Sequence, residues 1–175
     1  SKRRIKMINY DFVVVSSGKN KFVIADKKGN SYTMPKEFLQ AIPDGTCLAI
    51  GDILHVITEK NLDMTELSST NTIICHGNIK IFLTGSLLKQ GKIKKFFVSN
   101  VSYGSTLLTE LSTGKDYLIF NSNTGIDWLY VAEGNIVKFL LFGDMPVMPV
   151  PKKQVKLKAP ITRSFWKNTG LYRSI

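Results

Sequence analysis

The sequence predicts a mainly β protein, organised as two tandem small β-barrels with basic tails. Its apolar runs are short and rich in β-branched and aromatic residues, and clusters of Gly, Asn and Asp separate them. A similar order of runs and turns occurs twice. The predicted organisation is a basic N-terminal arm (1–6), two barrel-like units (7–72 and 73–145) and an extended basic tail (146–175). One larger sandwich or barrel is the structural alternative.

The first unit is predicted to contain strands joined by glycine turns and one short helix. The helix is expected over 35–41, because proline suits a first helical turn and Phe38, Leu39 and Ile42 share one side. Residues 60–72 are polar and are predicted to form a loop. The predicted strands of this unit are 12–15, 21–25, 31–34, 47–50 and 53–57.

The second unit is predicted to repeat the pattern of the first. Its predicted strands are 73–75, 79–83, 96–98, 107–111, 117–120, 128–132 and 136–142. The halves align with Phe12 on Phe97, Gly29 on Gly114, Tyr32 on Tyr117, Gly51 on Gly134 and Ile53 on Ile136. This indicates either a duplication or the turn spacing that any two β segments share. The order of strand, glycine turn, strand and short helix resembles an OB-like barrel, a fold that often binds oligonucleotides.

The net charge is confined to the two ends of the chain. The sequence has 24 basic and 13 acidic residues, a formal net charge of +11. Four basic residues lie in 1–6 and seven in 145–175, with no acid in either segment, so the body between them is neutral. All four arginines lie in the ends, and Arg is well suited to bidentate phosphate contacts. The ends are therefore predicted to contact a polyanion, most simply nucleic acid, and the alternative is that they only keep the protein soluble.

The C-terminal tail combines these cations with prolines at positions 146, 149, 151 and 160. Proline fixes φ and donates no hydrogen bond, so an extended chain is expected. Within residues 152–158, apolar and basic side chains alternate, so this segment could add a strand to a neighbour's sheet. Phe165 and Trp166 would then serve as anchors. The candidate contact residues in the two ends are Lys2, Arg3, Arg4, Lys6, Lys152, Lys153, Lys156, Lys158, Arg163, Phe165, Trp166, Lys167, Tyr172 and Arg173.

The body contains one basic stretch, with Lys89, Lys92, Lys94 and Lys95 as further candidate contacts. Phe96, Phe97 and Tyr103 follow it. Lysines beside aromatic rings can form a platform for single-stranded nucleic acid, or the lysines can be a solvated loop beside core aromatics. At least one of the two phenylalanines is expected in the core.

Neither a catalytic site nor a metal or cofactor site is predicted. The chain has two histidines and lacks the common nucleotide-binding, hydrolase and metalloprotease motifs. His55 shares a strand face with Ile53 and Ile57, and is either a satisfied core residue or a ligand contact on a solvent face. His76 is expected to be exposed. Cys47 and Cys75 are expected to be buried apolar residues, and with the two histidines they lack zinc-site spacing.

The leading hypothesis is a non-catalytic structural subunit of a large nucleoprotein assembly, such as a virus or phage particle or a ribosome-like complex. The neutral body would pack on protein neighbours and the tails would contact nucleic acid or adjacent subunits. The alternative is a free single-stranded nucleic-acid-binding protein, and a small enzyme is a third hypothesis. No apolar run is long enough to span a membrane and no signal-peptide core follows the charged start, so an intracellular or virion location is expected.

Overall fold

The protein is mainly β. The computed structural model describes residues 6–18, 21–67, 70–102, 104–120, 131–151 and 159–160. In this part of the chain, antiparallel strands form two five-stranded sheets and two two-stranded ribbons.

The strands are β1 (Ile8–Gly18), β2 (Lys21–Ala25), β3 (Ser31–Thr33), β4 (Cys47–Leu48), β5 (Asp52–Thr58), β6 (Asp63–Leu67), β7 (Thr70–Ile74), β8 (Ile79–Ser86), β9 (Lys92–Val101), β10 (Ser105–Glu110), β11 (Asp116–Phe120), β12 (Ile136–Phe142), β13 (Met145–Pro149) and β14 (Ala159–Pro160). The helices are α1 (Lys36–Ala41) and α2 (Leu87–Gln90).

The first sheet has the strand order β3-β2-β1-β5-β8. The first three strands form a meander and the fourth returns beside β1, which is the Greek-key arrangement. Its inner face packs against α1, whose Phe38 and Leu39 are buried as the sequence predicts. Leu62, which directly precedes β6, and Ile73, on β7, also pack in this core.

The second sheet has the order β11-β10-β9-β12-β13, so it repeats the Greek key of the first. Alternate residues of its strands point to the inner face, as pleated strands require. Phe96, Val98, Leu108 and Phe139 are fully buried there. Strand β11 also approaches β13, the strand at the opposite edge of the same sheet, so the sheet curls toward closure.

The repeat extends to individual hydrogen bonds. Gly51 and Gly134 both have positive φ, and their amides donate to the carbonyls of Val14 and Val98, at 2.7 and 2.9 Å. The register then skips one residue directly after each of these valines, so both strands carry a bulge at the same place.

The predicted alignment of Phe12 with Phe97 is wrong by one residue. Phe12 pairs with Leu54 across the sheet and contacts the Tyr32 ring edge-on at 6.3 Å. Phe96, not Phe97, makes the corresponding contact, meeting Tyr117 edge-on at 5.8 Å. Consecutive phenylalanines give no indication of which one faces inward, so the sequence alone could not fix the register.

The two halves pack against each other through one buried apolar layer. The covered face, defined as the outer side of β1 and β2, contributes Val13, Val15, Val23 and Ala25. The second half contributes Leu140, Phe142, Val147 and Met148, from β12 and β13. At the edge of this contact, the Lys27 ammonium lies 5.7 Å from the centre of the Phe142 ring.

The structure corrects three of the sequence predictions. Residues 60–72 are predicted to be a loop, but β6 and β7 form a hairpin. Strand β8 pairs with β5 in the first sheet, although the sequence places 73–145 in the second unit. Residues 146–149, predicted to begin the extended tail, belong to β13, because an edge strand tolerates prolines. The strand predicted at 128–132 lies mostly outside the described residues.

The described part of the C-terminal region also contacts the first half. Strand β14 pairs antiparallel with β4, placing Ala159 opposite Leu48 and Pro160 opposite Cys47. At this point the chain lies along the body as a short strand.

Candidate interaction surface

The outer face of the second sheet carries large apolar side chains exposed to solvent. Phe97, Leu118 and Ile136 are 39, 49 and 61% exposed. Phe97 lies directly opposite Ile136 on β12, and Leu118 lies opposite Leu107 on β10. We call this surface, carrying Phe97, Leu107, Leu118 and Ile136, the open face. Its exposed apolar side chains are neighbours across strands, whereas singly scattered ones would need no explanation.

Two lysines lie beside this apolar surface. Lys95 and Lys138 are direct cross-strand neighbours on β9 and β12, close along the strands to the Phe97–Ile136 pair. Both are exposed. Like charges placed directly opposite each other destabilise a sheet, so this pair has a cost that an anion or an acidic partner would remove.

Of the predicted body lysines, only Lys95 lies on the open face. Lys94 points to the opposite side of β9, where its ammonium is 2.7 Å from Oε1 of the buried Glu110. This interaction raises the pKa of Lys94. Lys92 is exposed at the start of β9 and Lys89 is exposed on α2, so the four lysines do not form one surface.

The predicted contact residues of the two ends fall almost entirely outside the described residues. Lys6 is described and exposed. The residues outside the description are Lys2, Arg3, Arg4, Lys152, Lys153, Lys156, Lys158, Arg163, Phe165, Trp166, Lys167, Tyr172 and Arg173. Tyr103, the third aromatic of the predicted platform, is also outside it.

His55 lies on the outer face of the first sheet, half-buried, and is not a core histidine. Its Nδ1 is 2.7 Å from Oδ1 of Asp11, and its Nε2 is 3.1 Å from Oδ1 of Asn9. Desolvation raises the pKa of Asp11, but the hydrogen bond with His55 and the nearby Lys27 outweigh it, so the pKa is lowered overall. The contacts with Asp11 and Asn9 hold the imidazole ring in place on the outer face of the sheet.

The other candidate ligands are dispersed. His76 is exposed as predicted and pairs with Asp63 at 2.6 Å. Cys47 is exposed, contrary to expectation, and Cys75 is half-buried, with a pKa raised to about 12 mainly by burial. Within the described ranges, no group of three or more His, Cys, Asp or Glu side chains is placed to hold a metal ion.

Sequence reasoning missed Lys138 and Ile136 as members of this surface. Both belong to an apolar run, which indicated a buried strand. The available signal was the lysine itself, since a charged residue inside such a run marks the face that points outward.

The chain matches no known protein-family model, and none of the curated proteins is significantly similar to it in sequence. Among the residues that the structure describes, no helix is long and apolar enough to cross a membrane.

Proposed function

We propose that the protein is a non-catalytic structural subunit of a large nucleoprotein assembly, such as a virus or phage particle or a ribosome-like complex. The body docks on protein neighbours, and the basic ends contact nucleic acid. Each half acts as a small barrel of the OB type, and the Greek-key order of both sheets supports this assignment.

The open face is the observation that carries this proposal. It presents Phe97, Leu118 and Ile136 to solvent, with Phe97 directly opposite Ile136. Burying an exposed apolar surface against a partner is favourable by about 25 cal/mol per Å². The body also has equal numbers of acidic and basic residues, so docking on protein meets no net repulsion.

The ends supply the electrostatic part of the proposal. Their basic residues equal the whole net charge of +11. Cations that neutralise phosphates release counterions, which makes affinity strongly dependent on salt.

The test is a salt series with a fluorescent single-stranded oligonucleotide. In one full-length variant, the basic residues of 1–6 and 145–175 are all replaced by Gln. We expect this variant to lose most of its affinity and most of its salt dependence. The slope of log K against log salt concentration should become shallower by about 0.7 for each lost phosphate contact. The matched control, Lys95→Gln with Lys138→Gln, should bind within a few-fold of the unmodified protein.

A second candidate function is favoured by the position of Lys95 and Lys138 beside Phe97. Here the protein binds single strands on the open face, with lysines on phosphates and the ring stacked on a base. In that case, the two-lysine variant loses the affinity and the terminal variant keeps it. Phe97→Ala would then cost about 1–3 kcal/mol of binding free energy. If neither variant changes binding, both functions are wrong.

A further inference from the structure

We infer that the open face binds a second copy of this chain, through the outer face of that copy's β5 and β8, in a head-to-tail contact. The inference rests on the proposed function, because it names the protein neighbour of the body. The open face has a counterpart in the first sheet.

The structural repeat identifies that counterpart. With Phe12 aligned on Phe96, Val13 corresponds to Phe97, and their cross-strand partners Ile53 and Ile136 also correspond. On the next strand, Val23 and Ala25 correspond to Leu107 and Thr109. The covered face and the open face are therefore the same surface of the repeated unit.

One of these equivalent surfaces is occupied within the chain. Val13, Val15, Val23 and Ala25 are at most 2% exposed because the second half packs on them. The packing elements are β12 and β13, the fourth and fifth strands of the second unit. The covered face of the first unit binds the fourth and fifth strands of the second unit. The equivalent open face of the second unit is therefore expected to bind the fourth and fifth strands of a first unit.

The fourth and fifth strands of the first unit are β5 and β8, and their outer face is available. Phe82 is 52% exposed, Lys80 is exposed and Ile57 is half-buried. Ile57 and Lys80 are paired across the two strands, as Leu140 and Met148 are in the second unit. A second copy can therefore present this face to the open face of the first.

The charges at equivalent positions change together. On the covered side, Asp11 and His55 face each other, and Lys27 joins Asp11 to the Phe142 ring. On the open face, Lys95 and Lys138 replace Asp11 and His55. On the incoming face, the exposed Glu59 occupies the position that corresponds to Phe142. An acid is thus available to neutralise the opposed lysines.

A twofold dimer through the open face is disfavoured by the same lysines. In a C2 dimer the open faces of the two copies would pack against each other. Lys95 and Lys138 of both copies, four lysines in all, would then meet around the twofold axis. A head-to-tail contact avoids this repulsion, and its repetition gives a ring or a helical array.

The test is sedimentation velocity of the full chain across a concentration series. We expect the mass of the unmodified protein to rise with concentration. Phe97→Asp blocks one side of the contact and Phe82→Asp blocks the other, so each variant alone should be monomeric. An equimolar mixture retains one intact contact and should form a heterodimer, with at least tenfold higher affinity than either variant shows for itself. Ile74→Asp, at a residue 46% exposed on β7, is the matched control and should assemble normally.

A second pair of variants tests the contact by charge exchange. Lys95→Glu and Glu59→Lys should each weaken assembly, and the double variant should restore it. Circular dichroism confirms that each variant is folded. The inference is wrong if the unmodified protein is monomeric at all concentrations, or if it dimerises but the mixture gives no heterodimer. The inference is also wrong if the unmodified protein stays monomeric and the Phe97→Asp variant loses oligonucleotide binding.

Failure of the self-association can be distinguished from failure of the proposed function. Loss of self-association leaves oligonucleotide binding by the basic ends intact, and failure of the ends to bind leaves the concentration series unchanged.

Discussion

The two sheets have the same inner face and different outer faces. Phe12 with Tyr32 and Phe96 with Tyr117 form the same edge-on pair in each core. On the outside, Asp11 and His55 in one sheet correspond to Lys95 and Lys138 in the other. The ring pairs keep their chemistry in the two cores, whereas these matched outer positions differ in charge.

The difference in coverage is equally clear. Val13 is fully buried, whereas its counterpart Phe97 is 39% exposed. An apolar residue is retained at both positions, although among the described residues only Val13 is covered. The following experiments test whether the two sheets are equivalent as described.

The largest effects are expected in the two cores. Phe12→Ala and Phe96→Ala should each lower the free energy of unfolding by about 3–5 kcal/mol, because each removes a fully buried ring. Phe97→Ala, the matched control, should cost less than about 1 kcal/mol. Urea denaturation measures all three. Equal losses for Phe96→Ala and Phe97→Ala would overturn the alignment of the two sheets.

The glycines that donate to Val14 and Val98 should give smaller and unequal effects. Gly134 has φ 85° and open space where a Cβ would lie, so Gly134→Ala should cost about 1–2 kcal/mol from backbone strain. Gly51 has φ 94°, and an added Cβ would lie 2.9 Å from Cγ of Leu88. Gly51→Ala should therefore cost about 1 kcal/mol more. The reverse order, measured by denaturation, would contradict the position of Leu88 beside Gly51.

The acid dependence of stability should come in part from Glu110. The hydrogen bond from Lys94, reinforced by that from Thr113, lowers the pKa of Glu110 despite its desolvation. A lowered folded-state pKa stabilises the protein above the unfolded-state value, about 4.3, and this contribution is lost as pH falls through the lowered value. Glu110→Gln should flatten the decline in unfolding free energy as the pH falls below about 4.3. An unchanged slope would show that the ion pair does not persist in solution.

The smallest effect concerns the matched tyrosines at alkaline pH. Burial, with Asp26 nearby, raises the pKa of Tyr32 to about 12. A raised folded-state pKa favours the folded state below the unfolded value, about 10, and this contribution is lost as pH rises through 12. Tyr32→Phe should remove the ionisation step near pH 12 from an ultraviolet titration. Tyr117→Phe should leave that step in place, and its disappearance in this variant would argue against the contact between Tyr32 and Asp26.

Much of the fold can be predicted because turn chemistry is local. Gly29 and Gly114 are recognisable in the sequence as hairpin turns, and both have positive φ. Proline and an apolar side predict the short helix at 35–41, and α1 lies there. Strand partners are not local, so the sequence could not show that β8 belongs with β5 rather than with the strands that follow it.

The candidate surface can be predicted only in part. Lys95 stands out within a basic run, but alternation along β9 sends Lys94 to the other side, where Glu110 neutralises it. Lys138 is hidden within an apolar strand, because its position depends on pairing with β9. Residues from distant parts of the chain meet on one face only after the register is fixed.

The shared apolar layer has a consequence for synthesis of the chain. Val13, Val15, Val23 and Ala25 are synthesised before their cover, which is formed by Leu140, Phe142, Val147 and Met148. At about 5–20 residues per second, the intervening segment takes on the order of ten seconds to translate. Throughout that interval one side of the nascent first sheet lacks its cover, so a holding chaperone, or a neighbouring nascent chain on the same message, has time to bind it first.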